Sequence, residues 1–132
     1  HACHEQQQSG YWRPGGTDPD QDTDEHSRGI LDGSTIGDSP FCPGGTVADR
    51  HGTPPIGLVD RTITCPDGTL RMGFDPQMPV GDTQRGPWRI VSGTGAYAGW
   101  DGSGEMVMRY DPGDNRQHPT SGRERYTGTI TH

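Results

Sequence analysis

Short segments in which apolar and polar residues alternate dominate the chain from residue 29 onward. In residues 57–65, Val59, Ile63 and Cys65 fall on one face of an extended segment, and threonines and an aspartate fall on the other. Residues 104–110 alternate in the same way. A period of two predicts β-strands with one buried face. The sequence shows no sustained helical period, so we predict almost no helix.

Turn residues separate these segments at short, regular intervals. The tripeptide Pro66-Asp67-Gly68, for example, is a tight-turn signature between two of them. Six or seven short strands at such spacing predict an all-β fold, a small antiparallel β-barrel or sandwich whose strand edges are protected by closure. The predicted strands are residues 29–36, 45–49, 57–65, 69–74, 88–92, 104–110 and 123–131.

The first 28 residues have a different composition. Their apolar side chains are Ala2, Cys3, Tyr11 and Trp12. A segment this polar cannot bury enough apolar surface to order itself, which predicts a flexible tail. We therefore divide the chain into an extended polar N-terminal segment, residues 1–28, and a β-barrel domain, residues 29–132.

The overall composition allows one small domain. The chain has 132 residues, of which 26% are hydrophobic, with 22 glycines and 12 prolines. So small a core usually needs covalent, metal or oligomeric support. Disorder is the competing interpretation, and the discrete β-branched segments argue against it.

Charge and residue usage exclude several functions. The net charge of −7 disfavours general nucleic-acid binding. All eleven basic residues are arginine, which excludes Schiff-base lysine chemistry. No apolar run is long enough for a membrane span, and a chain that begins at His1 is expected to be an exported protein after signal removal. We therefore predict a secreted, extracellular protein.

The three cysteines predict one internal disulfide. Cys42 and Cys65 lie in similar Cys-Pro contexts at the ends of neighbouring predicted strands. A bond between them would add about 3 kcal/mol by the chain-entropy model. Cys3 is then left for an intermolecular bridge or an attachment. A different pairing that includes Cys3 remains the alternative.

An alternating acidic run precedes the first predicted strand. Its aspartates are Asp18, Asp20, Asp22 and Asp24. Oxygen ligands at alternate positions resemble the start of a calcium loop. The glycine expected at the sixth position is Thr23, and the glutamate expected at the twelfth is missing. A calcium site is therefore one interpretation of this run, and a solvated acidic linker is the alternative.

The C-terminal half resembles a known group of barrels. Residues 86–110, GPWRIVSGTGAYAGWDGSGEMVMRY, and the closing YTGTITH resemble the allene-oxide-cyclase/dirigent-type superfamily, with its Gly-Thr-Gly-x-(Tyr or Phe)-x-Gly element. Residues 38–75 resemble small secreted actinobacterial proteins with that barrel. The resemblance covers residues 29–132 and implies a barrel with Tyr97 packed inward. The superfamily includes cyclases and stereo-directing binding proteins, so the resemblance alone does not select an activity.

Charged and apolar residues on the predicted strands are the candidates for a site. An inward acid–arginine pair could act on a ligand, although outward charges are the ordinary case. Glu105 is the first candidate for an inward catalytic carboxylate. The apolar candidates either line a pocket or fill the core, and they are Trp88, Tyr97, Met106 and Met108. The charged candidates are Asp60, Arg61, Arg89, Glu105, Arg109 and Glu124.

Three functions are compatible with these features. The first is a non-catalytic structural protein that self-associates, with residues 1–28 docked on a neighbouring subunit. In that hypothesis Tyr11 and Trp12 act as anchors, Cys3 is a covalent lock, and head-to-tail contacts build filaments. The second is a small-molecule-binding barrel, and the third is a dirigent-like or cyclase-like enzyme.

Overall fold

A computed structural model describes the backbone of residues 3–14, 26–36, 39–110 and 122–132, and the side chains of residues 34–36, 39–110 and 123–132. Within these ranges the chain forms nine β-strands. Their bounds are β1 Cys3–Pro14, β2 His26–Ile36, β3 Ser39–Pro40, β4 Thr46–His51, β5 Val59–Cys65, β6 Gly68–Phe74, β7 Thr83–Gly93, β8 Asp101–Tyr110 and β9 Gly122–Thr131.

The predicted all-β class is confirmed. Every strand pair is antiparallel. In the described part of the chain the only helical residues are the 3₁₀ turn Gly95–Tyr97. No helix in that part has the length and hydropathy required to cross a membrane. Each predicted strand overlaps an observed one, although residue 45 and residues 57–58 lie outside the observed strands.

The sheet follows the chain for most of its width. From β4 to β9 each strand pairs with the next along the sequence, and β4 also pairs with β2. The short β3 pairs with the end of β2. β1 pairs on one side with β9 and on the other with β2. The first strand thus lies between the last strand and the second.

The N-terminal segment differs from the prediction. Cys3–Pro14 is a strand of the sheet, in register with β9 from Cys3↔Thr131 to Trp12↔Gly122. The predicted boundary after residue 28 falls inside β2. Strand pairing uses backbone N–H and C=O groups, which a polar segment has as fully as an apolar one. Composition therefore did not reveal that this segment joins the sheet.

One contiguous apolar cluster lies on the buried face of the sheet. Arg61 on β5 is hydrogen-bonded to Glu124 on β9, four strands away in the sheet order. Contact between strands so far apart requires the sheet to curve around its buried face. Among the residues whose side chains are described, the buried apolar ones are Phe41, Cys42, Val47, Ile63, Cys65, Leu70, Met72, Phe74, Trp88, Ile90, Tyr97, Met106, Met108, Tyr126 and Ile130.

The predicted disulfide is confirmed. Cys42 and Cys65 are bonded and tie the loop before β4 to the end of β5. Cys42 adopts a φ of 56°, in the left-handed region. A side chain at Gly45 would collide with the Cys42 Sγ, so glycine permits the loop to pass close to the bond. The bridge therefore closes one end of the buried face.

A second closure holds the glycine-rich bend against the β5–β6 turn. The Tyr97 hydroxyl donates to Asp67 Oδ1 at 2.8 Å, and the Ala96 N–H donates to the Asp67 carbonyl at 2.9 Å. Tyr97 is buried and its ring meets Phe41 edge to face. Burial, followed by the hydrogen bond to Asp67, raises the pKa of Tyr97 to about 12.

Candidate functional site

A buried arginine is the centre of the candidate site. The alternation of β5 places Arg61 on the same face as Ile63, and its side chain is 7% exposed. Asp49 lies directly opposite on β4. The Arg61 Nε donates to Asp49 Oδ1 at 2.7 Å and Nη2 donates to Asp49 Oδ2 at 2.9 Å. This two-pronged geometry is the strongest that a guanidinium and a carboxylate form.

A second carboxylate contacts the other edge of the guanidinium. Glu124 projects from β9 and receives a hydrogen bond from Arg61 Nη2 at 3.0 Å on Oε2. Arg61 Nη1 donates to Oε1 of the same carboxylate. Arg61 is therefore held between Asp49 and Glu124, which belong to strands on different sides of the buried face.

A tyrosine completes the arrangement. Arg61 Nη1 also donates to the Tyr126 Oη at 2.6 Å, and the Tyr126 hydroxyl donates to Glu124 Oε1 at 2.6 Å. A guanidinium has five N–H donors, and these contacts use all of them. We call Arg61, Asp49, Glu124 and Tyr126 the Arg61 cluster.

Aromatic rings surround the cluster. The Arg61 Cζ lies 4.8 Å from the centroid of the Phe74 ring. The Tyr126 ring contacts both Phe74 and Trp88, at centroid distances of 5.6 and 6.0 Å. The Trp88 indole N–H donates to the Thr127 carbonyl at 3.1 Å. Apolar walls exclude water, so the hydrogen bonds of the cluster are stronger and any unpaired member would be costly.

The protonation states follow from this environment. Burial opposes the charge on Arg61, but Asp49 and Glu124 outweigh it and raise the pKa of Arg61 well above its usual value. Burial alone would raise the pKa of Glu124, but Arg61 lowers it. Burial and the neighbouring Glu124 raise the pKa of Tyr126 well above its usual value. At neutral pH Arg61 and Glu124 are charged and Tyr126 is neutral.

The cluster has a defined chemical bias. Two carboxylates against one guanidinium leave a net charge of −1 when both are ionised. The donors are used, whereas a carboxylate has about four acceptor positions and each one here has at least one left. Of the two carboxylates in the cluster Asp49 is the more accessible, with 16% of its side chain exposed against 10% for Glu124. The cluster can therefore accept a cation or a hydrogen-bond donor more readily than an anion.

In the part of the chain whose side chains are described, three further ion pairs lie outside the cluster. On the opposite face of β5, Asp60 accepts hydrogen bonds from Arg71 at 2.9 and 2.7 Å and forms a salt bridge with Arg50 at 3.5 Å. Hydrogen bonding to Arg71 lowers the pKa of Asp60. Arg89 donates to Asp75 Oδ2 at 2.9 Å. These pairs fasten loops and neighbouring strands to the outer face.

Glu105 is not a buried carboxylate. It is exposed on β8, because the alternation of that strand places Met106 and Met108 on the buried face. Arg109 is exposed on the same side. The prediction of Glu105 as an inward group is corrected: the carboxylate that reaches the buried face of the sheet from the C-terminal strands is Glu124.

The alternation of buried and exposed positions along each strand, which we call its phase, is a sequence signal that identifies Arg61 and Glu124. Arg61 stands between Val59 and Ile63 in the apolar phase of β5, and Glu124 stands two residues before Tyr126 in the apolar phase of β9. A charge in such a phase is expected either to be paired or to be functional. The identity of the partner, however, depends on the sheet.

The remaining predicted residues divide into two groups. The apolar candidates are buried together in the core cluster, and they are Trp88, Tyr97, Met106 and Met108. The others lie where side chains are not described: Cys3, Tyr11 and Trp12 are on β1, and Asp18, Asp20, Asp22 and Asp24 are outside the described ranges. Among the described residues, no three His, Cys, Asp or Glu side chains are grouped to hold a metal ion.

Comparison with known proteins gives no family for this chain. No protein-family model, curated protein or solved structure matches it. A functional proposal therefore rests on the geometry of the described residues.

Proposed function

We propose that this chain is an extracellular structural protein, a β-barrel subunit that associates with copies of itself and carries out no reaction. The observation that carries this proposal is that the side chains of the buried face are bound to one another. Its apolar candidates pack against one another, and every N–H donor of Arg61 is bound within the cluster. A general acid or base must exchange a proton with a substrate, whereas these groups hold theirs between protein atoms.

Closure of the sheet into a barrel is part of the proposal. β1 pairs with both β9 and β2, and Arg61 meets Glu124 across the buried face, which supports a continuous ring of strands. Closure would leave few exposed edges. The glycine-rich bend that carries Tyr97 inward also agrees with the resemblance to allene-oxide-cyclase/dirigent-type barrels.

An extracellular location is supported by the disulfide. The Cys42–Cys65 bond forms and persists in oxidising compartments. A domain with 26% hydrophobic residues depends on such a bond more than an ordinary domain does. The Arg61 cluster and the disulfide together provide a durable subunit, which is the main physical requirement for a structural role.

Self-association is supported by exposed apolar side chains in two adjacent loops. We call residues 53–58 and 75–82 the apolar loops. Leu58 is 57% exposed, Met78 85% and Val80 80%. The loops are joined, because the Leu58 N–H donates to Asp75 Oδ1 at 3.0 Å. A chain so poor in apolar residues that exposes three of them in joined loops is expected to cover them with a partner.

Sedimentation analysis over a range of protein and salt concentrations tests this proposal. We expect oligomers that grow with protein concentration, and more of them at high salt because each copy carries a charge of −7. The variant Met78→Ser/Val80→Ser should associate at least tenfold more weakly and remain folded. Gln77→Ser, in the same loop, is the matched control. A monomer under all conditions would contradict the proposal.

Binding of a small organic cation is the second candidate function. The excess of carboxylates over guanidinium in the Arg61 cluster favours it, with Asp49 as the accessible contact. Titration with primary alkylammonium ions should shift the NMR signals of Tyr126 and the Trp88 indole. Asp49→Asn should abolish the shifts, and Asp82→Asn should not. Unchanged spectra at millimolar concentrations would exclude this candidate.

A further inference from the structure

We propose that copies of this chain associate by exchanging β1, so that Cys3–Pro14 of one copy lies between β9 and β2 of a second copy. This inference rests on the proposed self-association, in which the apolar loops also take part, and names a strand that links the copies. We call the space between β9 and β2 the seam. The strand that fills it comes from a second copy of the same sequence, so the interface reproduces pairings that the fold already contains.

β1 is the first of the described strands and lies where the two ends of the strand order meet. β1 precedes every other described strand and is joined to them through residues 15–25 alone. It is also the strand that connects β9 to β2. When β1 leaves, the sheet exposes the facing edges of two strands, and exposed edges pair readily with another strand. The exposed edges of β9 and β2 can therefore pair with β1 from either copy.

The two sides of β1 are not equally regular. Its pairing with β9 runs without interruption from Cys3↔Thr131 to Trp12↔Gly122. Its pairing with β2 covers Gln8 to Pro14 and changes register between Ser9 and Tyr11. The less regular contact is with the strand to which β1 is tethered. The regularity of the β1–β2 pairing therefore gives β1 no preference for the β2 of its own copy over the β2 of another copy.

The sequence of β1 gives it little strand preference of its own. CHEQQQSGYWRP contains no β-branched residue and has Tyr11 and Trp12 as its aromatics. The contacts described for β1 are its backbone hydrogen bonds with β9 and β2. Those hydrogen bonds are identical whichever copy supplies the strand, so exchange changes chain entropy far more than it changes contacts.

The tether is long enough for exchange. Eleven residues separate β1 from β2, and a chain of that length spans at most about 40 Å. β1 itself, with 12 residues, is about 40 Å long as a strand. A neighbour whose seam lies within that distance can be reached. Because the donor and acceptor surfaces differ, exchange runs head to tail and extends unless it closes into a ring.

Disulfide trapping tests the exchange on the full chain. Glu5 on β1 is directly opposite Thr129 on β9. In a Cys3→Ser background, Glu5→Cys/Thr129→Cys should oxidise to a ladder of covalent oligomers that reductant converts to monomer. The matched control is Glu105→Cys/Thr127→Cys, which joins β8 to β9 and should oxidise within one chain. Gels without reductant separate the two results.

Each outcome decides the proposal. A ladder from the β1–β9 pair, and monomer from the β8–β9 pair, supports exchange. Cross-linking of Glu5→Cys/Thr129→Cys wholly within monomers overturns exchange, and if sedimentation still shows oligomers the proposed self-association stands. A monomer in sedimentation overturns both. A ladder from both pairs, or a β1–β9 pair that never forms its bond, also overturns exchange.

Discussion

Arg61 and Glu124 are 63 residues apart in the sequence, and two hydrogen bonds join their side chains across the buried face of the sheet. Both groups are charged and both are buried. Removal of such charges from water costs several kcal/mol per ion, and the cost is offset only when the geometry is complete. Asp49 and Tyr126 complete it here. The cluster is therefore expected to stabilise the fold only as an intact unit.

The variant Arg61→Met should be strongly destabilised. It leaves Asp49 and Glu124 facing each other without their shared cation, and breaking a buried pair on one side costs about 3–5 kcal/mol. Urea unfolding monitored by tryptophan fluorescence measures the loss. Arg71→Met is the control, because Arg71 is 35% exposed and its partner Asp60 retains Arg50. Equal losses in the two variants would contradict the special cost of the buried cluster.

Stability should decrease as the pH falls through the acidic range. Paired arginines lower the pKa values of Glu124, Asp60 and Asp75 in the folded state. A carboxyl with a lowered folded pKa contributes stability that is fully present above its unfolded pKa, about 4, and is lost as the pH falls below that value. Unfolding free energies between pH 6 and pH 2, about the range of these groups, test the sign. Glu124→Gln should flatten the profile, whereas stability that rises on acidification would refute the assignment.

Ser34→Ala should stabilise the protein. Ser34 is buried on β2, and its hydroxyl has no hydrogen-bond partner among the described residues. A buried unpaired hydroxyl costs about 1–3 kcal/mol, so its removal should raise the free energy of unfolding by about 1 kcal/mol. Thermal melts detect a change of this size. Ser103→Ala, at an exposed position, should have no effect, and a destabilised Ser34→Ala would show that the hydroxyl is bonded.

Gly104→Ala should disturb the pairing of β8 with β9. A methyl group at residue 104 would collide with the Thr127 carbonyl and approach the Gly128 Cα to 2.7 Å. Overpacking of this kind costs about 1–3 kcal/mol. The Thr127 carbonyl also accepts the Trp88 indole N–H, so the tryptophan emission should shift with the loss of stability.

Gly99→Ala is the control for that variant. Gly99 has a φ of 80° but open space around its Cα, so alanine there meets only backbone strain of about 1 kcal/mol. Its tryptophan emission should remain that of the original chain. If Gly99→Ala changes the tryptophan emission as much as Gly104→Ala does, the collision with the Thr127 carbonyl is not the cause.

Local patterns in the sequence were sufficient for most of the strands. The alternation in β5, β8 and β9 predicts their buried faces, because successive side chains of any strand point to opposite sides. The disulfide was also predictable, since Cys42 and Cys65 flank neighbouring strands in similar contexts. The interior position of Tyr97 followed from the resemblance of the glycine-rich bend.

The strand β1 and the Arg61 cluster were not predictable in this way. The polar composition of residues 1–28 predicts a flexible tail, because composition describes side chains. Cys3–Pro14 pairs through its backbone N–H and C=O groups, which composition does not describe. Glu105 and Glu124 are both glutamates, and they lie on neighbouring strands. They differ in their position in the alternation: Glu105 lies next to Met106 on the opposite face of β8, whereas Glu124 lies two residues before Tyr126 on the buried face of β9.

By itself the sequence determined which segments extend, where they turn and which two cysteines join, since each depends on residues close together in the chain or on matching local contexts. The tertiary structure alone decided that Arg61 meets Glu124 and that β1 lies between β9 and β2. Those contacts depend on the order and curvature of the whole sheet. Curvature is the accumulated twist of many strands, and no short window of sequence contains it.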